Sequence, residues 1–132
     1  MILFLRFLFI TIIGAMLAVT TWASLDEALG DFAAGPIIRN PWVVATLFDA
    51  YFAFITVYVW IAWKEQSLGA RILWFIAIIL LGNLATAAYL LSELFKIPAS
   101  GPLSEVFATR RPGNLTFPGI LVALSVSVYL LA

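Results

Sequence analysis

One carboxylate interrupts an otherwise uncharged apolar run: Asp49, seven residues into the stretch 42–63. An ionised aspartate near the centre of a membrane helix costs on the order of 2.5–3.5 kcal/mol. It must therefore face other helices and find hydrogen-bond donors, or it must handle a proton or an ion. Ala45, Asp49, Ala53 and Thr56 recur at helical spacing, a small and polar stripe of the kind that lets neighbouring helices approach closely. Counting equal depth from the same interface brings Thr20 and Thr21 of the first apolar stretch, and Thr86 and Tyr89 of the third, to the level of Asp49, with Asn83 deeper. Gly82, Thr86, Tyr89 and Glu93 share one face, and Gly14 with Ala18 offers a small contact on the first helix. The expectation is a polar core in which Asp49 is hydrogen-bonded across three helices. Ion handling is the competing chemistry. A relay needs successive polar stations, and the other half of the bundle offers Thr11, Thr56 and little else.

Other chemistries are excluded by composition. The 132 residues contain no cysteine and no histidine, so disulfides, Cys/His zinc sites, iron–sulfur clusters and histidine-ligated haem are ruled out. No Gly-rich phosphate loop, paired-carboxylate hydrolytic site or Ser/Lys nucleophile emerges, and the chain is read as non-enzymatic. Seven Lys/Arg balance seven Asp/Glu, with no basic run longer than Arg110-Arg111; nucleic acid is not an expected partner. No intrinsic cofactor is expected, although aromatic content allows lipid, pigment or quinone contact. Asn114-Leu115-Thr116 matches a glycosylation acceptor too close to the membrane surface for ready use.

The elements that position these residues follow from hydrophobicity. With 64% hydrophobic and 11% charged residues, against about 25% charged in a soluble domain, the chain is expected to be an integral, multi-pass membrane protein. Four apolar stretches, 2–24, 42–63, 72–95 and 115–132, approach or exceed the roughly 20 residues that cross a bilayer. Period-two alternation is absent and an unsatisfied backbone is costly in lipid, so the fold class is all-α, a four-helix transmembrane bundle in a single domain. The fourth stretch is short, with Pro118 suited to its first turn. The first exceeds the 7–15 residues of a signal-peptide core and reads as a retained helix, with Arg6 reaching for its nearer interface. Trp22, Trp42, Trp60, Trp63 and Trp74 all fall near the predicted interfaces, where indole anchors are favoured.

Two loops carry further pattern. Ser24 with Glu27 fits a capping box, followed by an amphipathic segment over 25–34 that stops at Gly35-Pro36. A second short interfacial helix is expected over 102–110, broken by Pro112-Gly113. With four spans, both loops lie on one side. Asp26, Glu27 and Asp31 would then pair with Arg110 and Arg111, or each loop would be solvated independently. Orientation stays undecided, with Arg6, Lys64 and Arg71 on one side against Arg39, Lys96, Arg110 and Arg111 on the other.

The run Arg39-Asn40-Pro41-Trp42 through Ala45-Thr46, Asp49-Ala50-Tyr51, then Val59-Trp60 and Trp63-Lys64-Glu65, and Gly82 with Thr86 through Tyr89, carries a resemblance. Over roughly residues 1–95 the chain resembles a family of small bacterial and plant membrane proteins classed as a domain of unknown function. The resemblance implies a compact helical membrane protein with Asp49 at its centre, and no activity. The region 112–132 lies outside that pattern. Taken together, the expected role is an accessory or scaffold subunit of a larger complex of respiratory or photosynthetic type, in a bacterial inner or photosynthetic membrane. Its partners are lipids and larger membrane proteins. The alternative is a small oligomeric transporter or channel that uses Asp49.

Overall fold

The computed structural model describes residues 1–131, so Ala132, the last residue of the fourth expected stretch, lies outside the described residues. Those residues form seven α-helices and one 3-10 turn, with no strands. Helix α1 (Ile2–Asp26) and helix α3 (Pro41–Lys64) are each long and apolar enough to cross a membrane. Between them lie the short α2 (Leu29–Ala34) and a 3-10 turn, Ile37–Arg39. Asn40 starts α3 by accepting the Trp42 amide at 2.9 Å, with Pro41 in the first helical position. The capping box expected at Ser24 does not form. Its hydroxyl donates to the Thr20 carbonyl at 2.8 Å and α1 runs on to Asp26, so the interfacial segment 25–34 begins late. Likewise 102–110 condenses to α6 (Ser104–Ala108).

The principal correction concerns 72–95, expected as one helix. It is part of a helical hairpin: α4 (Leu68–Leu81) and α5 (Asn83–Phe95) meet at Gly82 and fold back on each other. Trp74 and Tyr89, which would stand about 22 Å apart along one helix, have ring centroids 4.8 Å apart. Gly82 makes the reversal possible. Its φ of +54° is the only positive φ among the described residues, and a Cβ there would lie 2.7 Å from the Phe54 ring. A side chain is therefore excluded both by backbone conformation and by space.

The hairpin sets every other relation. Ser67 caps α4, accepting the Ala70 amide at 3.0 Å. Helix α3 descends antiparallel to α4, with the Tyr58 hydroxyl donating to the Arg71 carbonyl at 2.9 Å. Helix α1 lies antiparallel along α5, where Arg6 donates to the carbonyls of Leu94 and Ile97 at 2.9 and 2.6 Å. Helix α7 (Thr116–Leu131) runs parallel to α4, from Leu115 beside Gly69 to Tyr129, whose hydroxyl donates to the Leu80 carbonyl at 2.7 Å. One core joins Ile61, Trp74, Ala77, Ile78, Ala85 and Tyr89; a second joins Ile2, Leu94, Ile97 and Val106.

At 1.5 Å per residue the hairpin arms are only about 20 Å long, against about 36 Å for α1 and α3. The molecule thus has a crowded base and a sparse far end. The base gathers the start of α1, the α3–α4 connection, the end of α5, α6 and the start of α7. At the far end α1 and α3 continue alone toward α2, and residues 17–27 are exposed throughout. Because the chain returns at Gly82, the two loops expected to share a side lie at opposite ends. Ile2 packs with Val106 beside α6, while Asp26 is a full helix length away. The pairing of Asp26, Glu27 and Asp31 with Arg110 and Arg111 is therefore not formed. Arg111 instead reaches Glu105 at 3.9 Å, and Arg110 lies over the Trp63 ring, 5.5 Å from its centroid.

Candidate functional site

The polar chemistry of the chain is concentrated at the base. Lys64 ends α3 and is 3% exposed; Glu93, on the last turn of α5, is 2% exposed. Lys64 donates to Glu93 Oε2 and to the Val106 carbonyl, and Lys96 donates to Glu93 Oε1. Both oxygens of Glu93 are thus held by ammonium groups, and Lys64 ties α3, α5 and α6 into one joint. Breaking such a pair leaves an uncompensated buried charge, at about 3–5 kcal/mol. Trp60 completes the joint: its indole N–H donates to the Phe107 carbonyl at 3.0 Å, and its ring meets Tyr89 edge-on at 5.6 Å.

Beside this joint stands Glu65, which follows α3 directly and is 7% exposed. Its Oε1 accepts the Tyr89 hydroxyl at 2.9 Å, and its main-chain carbonyl accepts Arg71 Nε at 2.9 Å. Its Oε2 is buried and has no donor. A Cβ on Gly113 would lie 2.8 Å from that oxygen, and beside Glu65 is a cavity of about 140 Å³ whose wall includes Trp74, Tyr89, Phe117, Lys96 and Asn114. Three rings set the apolar side. Trp74 packs edge-on against both Tyr89 (4.8 Å) and Phe117 (5.6 Å). Asn114 uses its Oδ1 to cap the Thr116 amide at 2.7 Å, leaving its NH₂ at the rim.

The polar core expected around Asp49 is not assembled. Asp49 is exposed on α3 near the level of the hairpin tip, and its side chain has no hydrogen bond among the described residues. Thr20 is exposed and donates to its own helix at Met16; Thr21 is exposed, as is Asn83, the first residue of α5. Thr86 and Tyr89 are buried on the same face of α5 as Glu93, in keeping with their spacing, but Thr86 donates to the Asn83 carbonyl and Tyr89 to Glu65. The physical reason is the fold-back, which carries Tyr89 and Glu93 toward the base and away from Asp49.

The tryptophans divide similarly. Trp22 and Trp42 are exposed at the far end and Trp63 at the base, whereas Trp60 is half-buried in the joint. Trp74 is 3% exposed and walls the cavity, so it is not an interfacial anchor. Sequence reasoning missed the roles of Lys64, Glu65, Lys96 and Asn114. The available signal was the rarity of charge: Lys64-Glu65 and Glu93 border apolar runs, where a buried charged side chain needs hydrogen-bond partners.

Comparison with known proteins adds a family and nothing about activity. No curated protein and no solved structure matches the chain. Residues 1–112 match the profile of a family described as protein of unknown function, DUF1475. The match takes in Lys64, Glu65, Tyr89, Glu93 and Lys96, and stops short of Asn114 and α7. With the larger part of its length inside that match, the chain belongs to the DUF1475 family.

Proposed function

We propose that this chain is a multi-pass integral membrane protein that serves as a non-enzymatic accessory or scaffold subunit, docking on a larger membrane complex through the far half of α3. In this reading α1 and α3 cross the bilayer. The α4–α5 hairpin enters from the base and returns, and α7 enters from the same side. A reversal at membrane depth is tolerated where protein buries it, and the Phe54 ring covers Gly82. Six of the seven basic residues, Arg6, Lys64, Arg71, Lys96, Arg110 and Arg111, then lie at the base, and only Arg39 at the far end. The positive-inside rule puts the base in the cytoplasm of a bacterial inner membrane, or on the equivalent face of a photosynthetic one.

The observation that carries the subunit reading is Asp49. It lies about 12 Å along α3 from Pro41, exposed and flanked on the same face by exposed Ala45, Ala53 and Thr56. Left in lipid, its charge costs on the order of 2.5–3.5 kcal/mol. The partner that removes this cost is a membrane helix presenting a donor side chain, brought close by the alanines on either side.

The test is gentle detergent extraction of the tagged chain followed by native electrophoresis. Wild type is expected in a particle much larger than the chain, and Asp49→Leu is expected to release it, with Asp49→Asn intermediate. Tryptophan-monitored unfolding of the purified chain should not change in Asp49→Leu, because Asp49 bonds to nothing within it. A particle containing only copies of this chain would replace the subunit reading with the oligomeric transporter. A monodisperse single chain would refute both.

A further inference from the structure

We propose that the end of α3 and the segment after α6 form a seat for the head of an anionic phospholipid, with Arg110 and Arg111 on its phosphate and the Trp63 and Phe107 rings against its glycerol and upper acyl chains. The proposal rests on the reading of α3 as a membrane span, which sets Trp63 at headgroup depth. It does not rest on Asp49, which lies toward the other end of that helix.

Charge at the base is unequally matched. Six basic residues gather there with three acids, Glu65, Glu93 and Glu105. Glu93 is held by Lys64 and Lys96, and Glu65 is buried against Tyr89. Arg6 and Arg71 donate to main-chain carbonyls. Glu105, the one acid of the three that is not buried, faces Arg111 at 3.9 Å, too far for a hydrogen bond. Arg110 is exposed and has neither a hydrogen bond nor an ion pair among the described residues; its guanidinium lies over the Trp63 ring, 5.5 Å from the centroid. The open side of the base is therefore positive, and its complement is an anion.

The seat is preformed. Lys64 holds the Val106 carbonyl and the Trp60 indole holds that of Phe107, which fixes the segment carrying Arg110 on the last turns of α3. Phe107 meets Trp60 at 5.5 Å between ring centroids, and Arg110 meets Trp63 one turn later. These contacts leave Trp63 51% and Phe107 47% exposed beside the guanidinium. A guanidinium stacked on an indole keeps its N–H edge free, and that edge grips a phosphate through two parallel bonds. Exposed rings next to it favour a phosphate that carries acyl chains over a soluble one. Net charge then sets the class of lipid. A choline or ethanolamine head brings an ammonium that meets surplus positive charge and no free carboxylate, whereas a glycerol head brings none.

The experiment uses the full chain purified in non-ionic detergent with equal amounts of phosphatidylglycerol, phosphatidylethanolamine and phosphatidylcholine of one acyl length. Retained lipids are counted by native mass spectrometry. Phosphatidylglycerol is expected to be retained over either of the others by about fivefold or more, the attraction of one basic residue at a charged surface. Arg110→Gln should lose about that factor, and Arg110→Gln with Arg111→Gln should abolish the preference. Arg110→Lys, which keeps the charge without the fork or the stacking, should fall between. Arg39→Gln removes a charge at the far end and should change nothing. Displacement of the lipid by excess glycerol 1-phosphate would make the ligand a soluble anion and overturn the seat. Equal retention of the three lipids would also overturn it, leaving an acidic protein segment as the partner of Arg110. So would a preference that survives the double variant or falls equally in Arg39→Gln. Alkaline carbonate extraction of membranes separates these failures from that of the span: a chain washed off by carbonate has nothing to set Trp63 at headgroup depth, and both readings fall.

Discussion

Replacing Gly82 by alanine discriminates the hairpin from a continuous span by the sign of its effect. In the hairpin, Gly82 sits at φ +54° and ψ −122°, where a residue with a Cβ is strained by about 1–3 kcal/mol. The new methyl would lie 2.7 and 2.9 Å from Cζ and Cε2 of Phe54, and relieving such overpacking typically costs about 1–3 kcal/mol more. Destabilisation of about 2–6 kcal/mol is therefore expected. In an unbroken helix over 72–95 the same change would stabilise by about 0.8–1.0 kcal/mol, the ordinary Gly-to-Ala gain. The assay is equilibrium unfolding in mixed micelles followed by tryptophan fluorescence, since Trp74 is buried against Tyr89 between the arms. Phe54→Leu in the Gly82→Ala background should recover part of the steric contribution and none of the backbone strain, and a double-mutant cycle isolates that part. A Gly82→Ala variant as stable as wild type, or more so, would refute the hairpin and everything placed by it.

Two further predictions address the base. Glu93→Leu alone should destabilise the chain by about 3–5 kcal/mol, by stranding Lys64, whereas Lys64→Met with Glu93→Leu should recover most of that loss; both are read in the same unfolding assay. Because the chain lacks cysteine, single cysteines at Gln66, Ser100 and Asp31 can be labelled with an impermeant maleimide in vesicles of known sidedness. Gln66 and Ser100 should label from one side and Asp31 from the other, whereas a full crossing over 72–95 would separate Gln66 from Ser100.

The extent of α1 and α3 was legible because long apolar runs with flanking punctuation leave little choice of element. Pro41 after Asn40 announces the start of α3, and Lys64-Glu65 its end. The buried face of α5 was also legible, since Thr86, Tyr89 and Glu93 recur at helical spacing. The reversal was not, because 24 apolar residues satisfy the length rule for a span. A glycine inside them signals a turn only once Phe54 is seen pressing on it. The misplacement of Tyr89 and of the loop charges descends from that residue. A straight 72–95 sets Tyr89 near Asp49 and loop 25–41 beside Arg110, and the fold-back exchanges both neighbourhoods. Glu65 escaped notice for a different reason. Its burial depends on α4 and the segment before α7 closing over it, and neither contact has a local signature.

The unequal lengths of the helices give the molecule two different girths. Around the base five helices, α1, α3, α4, α5 and α7, stand side by side, while beyond Gly82 and Tyr129 the described residues leave two. Inserted as proposed, such a body would displace more acyl chains from the leaflet that holds the base than from the other, five helices standing in one and two in the other. It would act as a wedge, and the bilayer around it would relax best when bent toward the slimmer end. Its distribution between flat and curved regions of membrane would then depend on Gly82, since straightening that one turn would carry a helix into the slimmer half.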